Sequence, residues 1–270
     1  MPDRDFSIRQ LQRNKEWLST HLLQYGTYIK GVIPCDAGNQ SIIKLDLSIN
    51  NPDIAGAREQ SEVLSYIRKK LSSSTSLAAV SGFAEERKQF PSGRNMIHLG
   101  LDLLSIEDFP VLAPMNGRLY ALRSEQKNGD LKIVIQHRLG AFRFYSVFSH
   151  ISGTTRTLHK PGSLIMAGEL LGYTTSNFGC DAGLCLIHFS VFLEAGCEPF
   201  EIPENVDISQ SESVLCMAVD PTPLLLNGGA PAEDSCRVEP LRSDTACRRS
   251  YRSAQAQTIC RVVPYMKRFY

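Results

Sequence analysis

Between residues 5 and 25, Ile8, Leu11, Leu18, Leu22 and Tyr25 recur on one side of a helical period, which predicts an amphipathic helix stopped by Gly26. Phe6 and Trp17 fall off that stripe. A second helix is predicted from about Ile54 to Leu71, with Ala57, Val63, Leu64, Ile67 and Leu71 on its apolar side. These two helices are expected to form an N-terminal subdomain or a cover, and the serine-rich run after the second one, Ser72 to Ser76, reads as a loop. From about residue 95 the texture changes. Short alternating or apolar runs separated by glycine occupy 96–104, 110–122, 131–137, 142–150, 164–173 and 184–193, the spacing of strands in an antiparallel sheet or sandwich. The expected architecture is therefore mainly β with an α-helical N-terminal region: residues 1–89 helical, 90–226 the β domain, and 227–270 a linker and tail.

Composition changes this picture little. A chain of 270 residues can bury a core without needing a metal or disulfides to hold it. A net charge of +1 with 21% charged residues excludes a bulk polyanion binder and a disordered chain, and no nucleic-acid partner is expected. Residues 237–270 do carry eight Lys or Arg against only Glu239 and Asp244, a diffuse basic tail that reads as a solvated extension. No apolar run reaches the roughly 18–20 residues of a transmembrane helix, and no signal-peptide pattern follows Met1-Pro2-Asp3-Arg4. Seven of the eight cysteines lie beyond residue 179, which points toward an oxidising compartment. Cys180 and Cys185 are open to a disulfide or to free thiols, and no CxxC spacing marks a zinc cluster.

Three segments carry candidate chemistry. If Met96 to Leu104 is one strand, alternation puts His98, Gly100 and Asp102 on a single face, with a side-chain-free residue between an imidazole and a carboxylate. Such a pair can serve as zinc ligands, but from this segment alone the pattern favours a His–Asp hydrogen bond near a sheet end. His188 is isolated in the apolar run Leu184 to Phe192 and needs a partner there. His150 ends a strand beside small polar residues, where it can act as acid, base or oxyanion donor. His137 reads as a structural hydrogen-bonding residue, and His21 and His159 as surface residues.

The order of these segments resembles the lysostaphin-type zinc metallopeptidases, many of which cut peptidoglycan cross-links. His98-Leu99-Gly100-Leu101-Asp102 is similar to their HxxxD motif, Val111 to Gly117 to the turn that follows it, Ile133 to His137 to the next strand, and Phe148 to Ser152 to the segment holding a further histidine. The glycines of Lys160-Pro161-Gly162, Ala167-Gly168-Glu169 and Leu171-Gly172-Tyr173 keep the family's hairpin rhythm, and Ile187-His188-Phe189 resembles the end of its HxHF motif. The likeness spans about residues 90–226. It implies a β-sandwich metallopeptidase-like core, a zinc cofactor held by His98, Asp102 and His188, a catalytic His150, a peptide or peptidoglycan substrate, and a periplasmic or extracellular location.

One departure bears on activity. Where the family carries the first histidine of HxH, this chain has Leu186, on the same side of the strand as His188. Loss of a proton-transfer group typically slows a reaction about 10²–10⁴-fold. The implied activities are thus a zinc-dependent endopeptidase or, alternatively, a catalytically impaired zinc- or peptide-binding or regulatory module. A lipoyl- or biotin-type carrier shares the glycine hairpin, but its turn needs an exposed lysine, and Ala113-Pro114-Met115-Asn116-Gly117 has none.

Overall fold

The computed structural model describes residues 4–24, 32–33, 42–74, 76, 78–124, 130–140, 142–152, 160–175, 183–195 and 198–225. The expected linker and basic tail over 227–270, Cys180 and His159 lie outside the described residues.

The first helix, α1, runs Arg4–Gln24. Leu11, Leu18 and Leu22 are buried as the stripe predicts. Trp17 departs from it: the ring is partly buried and stacks on Phe142 with centroids 4.1 Å apart and on His21 at 3.7 Å. His21 is therefore not a simple surface residue, since its Nδ1 also donates to the Trp17 carbonyl at 2.8 Å. The helix's packed face is wider than its aliphatic stripe because an indole can lie along the flank and still bury most of its area.

The second helix, α2, is shorter than its pattern, Gln60–Ser72. Residues 51–57 form turns instead, with Ala55 N bonded to Asn51 O at 2.8 Å and Ala57 N to Ile54 O at 2.9 Å. Asn51 holds this turn through its own side chain, accepting from Asp53 N at 3.0 Å and donating to Asp46 O. Local side-chain bonding of this kind competes with helix, and Gly56 adds to the bias.

The strands are β1 (Ile42–Lys44), β2 (Ala78–Val80), β3 (Glu86–Lys88), β4 (Asn95–His98), β5 (Leu101–Ser105), β6 (Pro110–Leu112) and β7 (Gly117–Ser124). They continue as β8 (Leu131–Leu139), β9 (Phe142–Ile151), β10 (Leu164–Ile165), β11 (Leu170–Tyr173), β12 (Cys185–Leu193), β13 (Asn205–Asp207) and β14 (Ala218–Val219), with a short helix α3 (Ile208–Leu215). Eight strands of the main sheet follow the order β1-β2-β5-β12-β9-β8-β7-β10, and β14 also pairs with β12. Only β1–β2 among these ladders is parallel. A second sheet joins β13, β4 and β3, and β6 pairs with β11. The fold is thus mainly β with a helical N-terminal region, as the pattern predicts.

Buried apolar residues fall into two clusters. The larger contains Leu18, Leu101, Leu103, Val134, Phe144, Phe148, Phe189 and Phe192, so α1 and the centre of the main sheet share one core. The smaller contains Leu45, Leu47, Ile67, Leu71, Ala79, Leu104, Leu184 and Leu186, under α2. α1 and α2 therefore serve different cores. Strand β12 is buried along its whole length and parts the two, with Leu186 in the smaller cluster and Ile187 and Phe189 in the larger.

Candidate metal centre

The segment expected as one strand over 96–104 is two. β4 ends at His98, Leu99 and Gly100 break the ladder, and β5 begins at Leu101. His98 thereby belongs to the three-stranded sheet and Asp102 to the main one. The backbone at the break is still satisfied, because Leu99 N donates to Glu204 O at 2.7 Å. The two side chains meet across a seam between sheets, not by alternation along a strand.

His188 arrives from a third direction. On β12 it is the cross-strand partner of Asp102 in β5 and of Ser149 in β9. Its Nδ1 lies 3.1 Å from Asp102 Oδ1, and His98 Nε2 lies 3.4 Å from the same oxygen. The two imidazole rings stand edge to face with centroids 4.8 Å apart. One donor atom from each of the three residues lies within 4.8 Å of those of the other two. Gly100 makes this approach possible: a Cβ there would sit 2.6 Å from His188 Cε1 and 2.6 Å from Phe189 O. The glycine is required for space, as its place between the two candidate ligands suggests.

The surrounding residues fix each donor. His98 donates from Nδ1 to Asn205 Oδ1 at 3.1 Å across the β4–β13 ladder, which leaves the Nε2 lone pair facing Asp102. Arg87 takes the other carboxylate oxygen, with Nη1 2.5 Å from Asp102 Oδ2, while its Nε and Nη2 donate to Glu85 Oε2 at 3.0 and 2.9 Å. The Asp102 amide is pinned by Ser81 Oγ at 2.8 Å. Burial pushes the Asp102 carboxyl up, but His98, Arg87 and the His188 hydrogen bond outweigh it and hold the group well below the usual carboxylate range. His98 is pushed down to about 3, by burial first, with Asp102 pulling the other way and Arg87 and His188 adding to the drop. It is neutral at pH 7.

Metal fit can be judged from these atoms. Zinc–ligand bonds of about 2.0–2.1 Å in a tetrahedron place neighbouring donors about 3.3–3.4 Å apart; His98 Nε2 lies 3.4 Å from Asp102 Oδ1. Among the buried side-chain atoms of the described residues, His98 Nε2, His188 Nε2 and Ser149 Oγ have no hydrogen-bond partner. Buried polar atoms are nearly always paired. That all three orphans sit on these two histidines and the residue paired with His188 marks one locus with unmet demand for a ligand. The set of two imidazoles and one monodentate carboxylate suits zinc, and the residues fit the ion.

His150 lies outside this trio. Leu131 pairs with Ile151 but Ile133 with Phe148, so Ser149 and His150 together oppose Lys132 in a β-bulge. His150 takes a left-handed backbone, φ 65°, and its Nε2 lies 3.3 Å from Glu204 Oε1. Burial pushes the Glu204 carboxyl up, yet His188 and His150 hold it below its ordinary range. Arg87, Asn205 and Glu204 were not visible as functional residues in the sequence. His137, by contrast, is structural as expected: buried, donating from Nδ1 to Asn116 O at 2.9 Å and accepting at Nε2 from Ser146 Oγ at 2.6 Å. Cys185 is a free buried thiol whose Sγ lies 4.0 Å from Ile106 O. Cys216 is also free and buried.

The chain is mainly β, and at the seam of two sheets it brings together His98, Asp102 and His188, a donor set that could hold a metal ion. Distant likenesses to solved peptidases accompany that geometry. The chain is 24% identical over 42% of its length to a zinc containing peptidase from Vibrio cholerae, covering 32% of that chain, with a TM-score of 0.33. The catalytic domain of the antimicrobial peptidase lysostaphin from Staphylococcus simulans is 19% identical over 53% of this chain and 86% of that one, TM-score 0.36. Csd3 from Helicobacter pylori is 15% identical over 70% of this chain and 39% of that one, TM-score 0.33. No protein-family profile and no curated protein matches the chain. The functional reading rests on the side chains themselves.

Proposed function

We propose that this protein is a zinc-dependent metallopeptidase-like hydrolase, with His98, Asp102 and His188 as ligands and with peptide bonds of peptidoglycan cross-links or similar peptides as substrate. The observation that carries the reading is the convergence of two buried imidazoles, each with an unpartnered ring nitrogen, on one carboxylate oxygen. Zinc held by three protein donors with an open position supplies Lewis-acid polarisation of a carbonyl. The chain's own residues do the rest. Asn205 sets the His98 tautomer, and Arg87 keeps Asp102 monodentate by occupying Oδ2. His150, turned by its bulge toward Glu204, is the proposed catalytic histidine, with a proton held between its Nε2 and Glu204 Oε1. A periplasmic or extracellular site of action belongs to the same reading, since peptidoglycan lies there.

The test is zinc titration against a competing chelator, together with hydrolysis of a peptidoglycan digest. One tightly held zinc per chain, lost in His188→Gln, is expected, with slow cleavage by the natural protein and cleavage about 10²–10⁴-fold faster in Leu186→His. Zinc uptake no better than that of His188→Gln would overturn the metal site. Cleavage by Leu186→His alone would overturn the enzyme reading and leave a zinc-binding module.

A further inference from the structure

The smaller apolar cluster is not closed. Ile54, Val63 and Leu64 pack against it but are only partly buried, and they face a cavity of about 470 Å³ that runs to His98 and Asp102. Such a volume lies within the range of small-ligand sites. The cavity is lined by the turn before α2, by α2 itself, and by Leu104 and Leu186. Leu186, in the position where the resembling family has a histidine, is thus a wall of this cavity. The polar end carries Arg87, His98, Asp102, Glu204 and Asn205.

The chemistry of the two ends restricts the occupant. At the polar end the donors of Arg87 are engaged by Glu85 and Asp102, and Lys88 Nζ, also lining the cavity, donates to Ala57 O at 2.9 Å. The charges that line the cavity balance, Arg87 and Lys88 against Asp102 and Glu204, and a lining without net charge favours a neutral amide over a charged head group. The aliphatic part of the lining is supplied by Ile54, Val63, Leu64 and Ile67 together with Leu104 and Leu186. An occupant with an amide at one end and a bulky apolar group at the other is a peptide unit with a large aliphatic or aromatic side chain.

We infer that this cavity is a specificity pocket for a bulky apolar side chain of the peptide substrate, placed so that the adjoining amide lies at His98 and Asp102. The assignment of that peptide as a substrate rests on the proposed metallopeptidase reading; the pocket itself does not. Glycine next to the bond then leaves the pocket unfilled. One methylene in a hydrophobic pocket changes affinity roughly 10–200-fold, so leucine or phenylalanine is expected to bind at least about tenfold more tightly than glycine at the same position.

The experiment uses the full chain, zinc-free and zinc-loaded, and calorimetric binding of peptides Gly-Gly-Xaa-Gly-Gly with Xaa glycine, alanine, leucine or phenylalanine. A preference for leucine or phenylalanine of about tenfold or more is expected, lost in Ala55→Trp, which fills the mouth from an exposed position, and in Leu64→Asp. Zinc affinity of both variants is expected to match the natural protein. Equal binding of all four peptides, or a preference untouched in Ala55→Trp, overturns the pocket. Zinc binding without any side-chain preference refutes only this inference; side-chain preference in a chain that takes no zinc refutes only the metal centre.

Discussion

At the scale of single residues, the site depends on one hydrogen atom where a methyl would be. Gly100→Ala puts a Cβ 2.6 Å from both the His188 ring and the Phe189 carbonyl, so the ring or the β12 backbone has to move. The expected cost is about 1–3 kcal/mol in urea unfolding, together with a clear loss of zinc affinity; retention of both would mean that His188 does not stand where the structure has it. Asn205→Ala tests orientation without steric strain. It removes the acceptor for His98 Nδ1–H, and zinc affinity is expected to fall about 10–100-fold while the fold persists. His188 could be noticed in the sequence as a lone histidine in an apolar strand, and His98 and Asp102 by their alternation around Gly100, but only the resemblance joined the three as one set. Arg87, Asn205 and Glu204 could not be singled out. Their partners lie 15 residues away for Arg87–Asp102 and 107 for His98–Asn205, with no periodicity to connect them.

At the scale of elements, hydrophobic period was a good guide to which segments are helix or strand and a poor one to where they break. The stripe on α1 located Leu11, Leu18 and Leu22 in the core, and Leu18→Ala, at a fully buried position, is expected to cost about 2–5 kcal/mol in denaturant unfolding. A cost near zero would show that α1 does not belong to the main core. The start of α2 was misplaced because the apolar spacing of Ile54 and Ala57 is the same in a turn and in a helix, and only the Asn51 side chain decides between them. The strand break at Leu99–Gly100 was hidden for a related reason. Alternation gave His98 and Asp102 a common face, but the structure joins them because β4 leaves the ladder to pair with β13. Alternation predicted their proximity through a continuous strand that does not exist. The bulge at Ser149–His150 had no local signature either, since bulges are defined by the partner strand and not by the bulged one.

At the scale of the whole molecule, the buried histidines make metal-free stability depend on pH in one direction. His98 is pushed down to about 3 and His137 to about 4, both by burial before any other cause. In the unfolded chain each titrates near its ordinary value of 6.5. As pH falls below about 6.5 the unfolded chain gains two protons that the folded chain refuses until about pH 4 and about pH 3. Stability contributed by the neutral rings is therefore complete above about pH 6.5 and is lost on acidification, at up to about 1.4 kcal/mol per pH unit for each ring. Asp102 and Glu204, whose carboxyls are held below their ordinary range, add a loss of the same sign at lower pH. Zinc at the proposed site would act against this loss, because an ion bound only by the folded state at about 100 times its dissociation constant stabilises by roughly 2.7 kcal/mol. Urea midpoints for the zinc-free protein at pH 7, 6 and 5 are expected to fall steadily, and His137→Gln to show about half the slope. A flat profile between pH 7 and 5 would mean that these imidazoles are protonated or solvated in the folded protein, and a neutral, preformed metal site could not then be maintained.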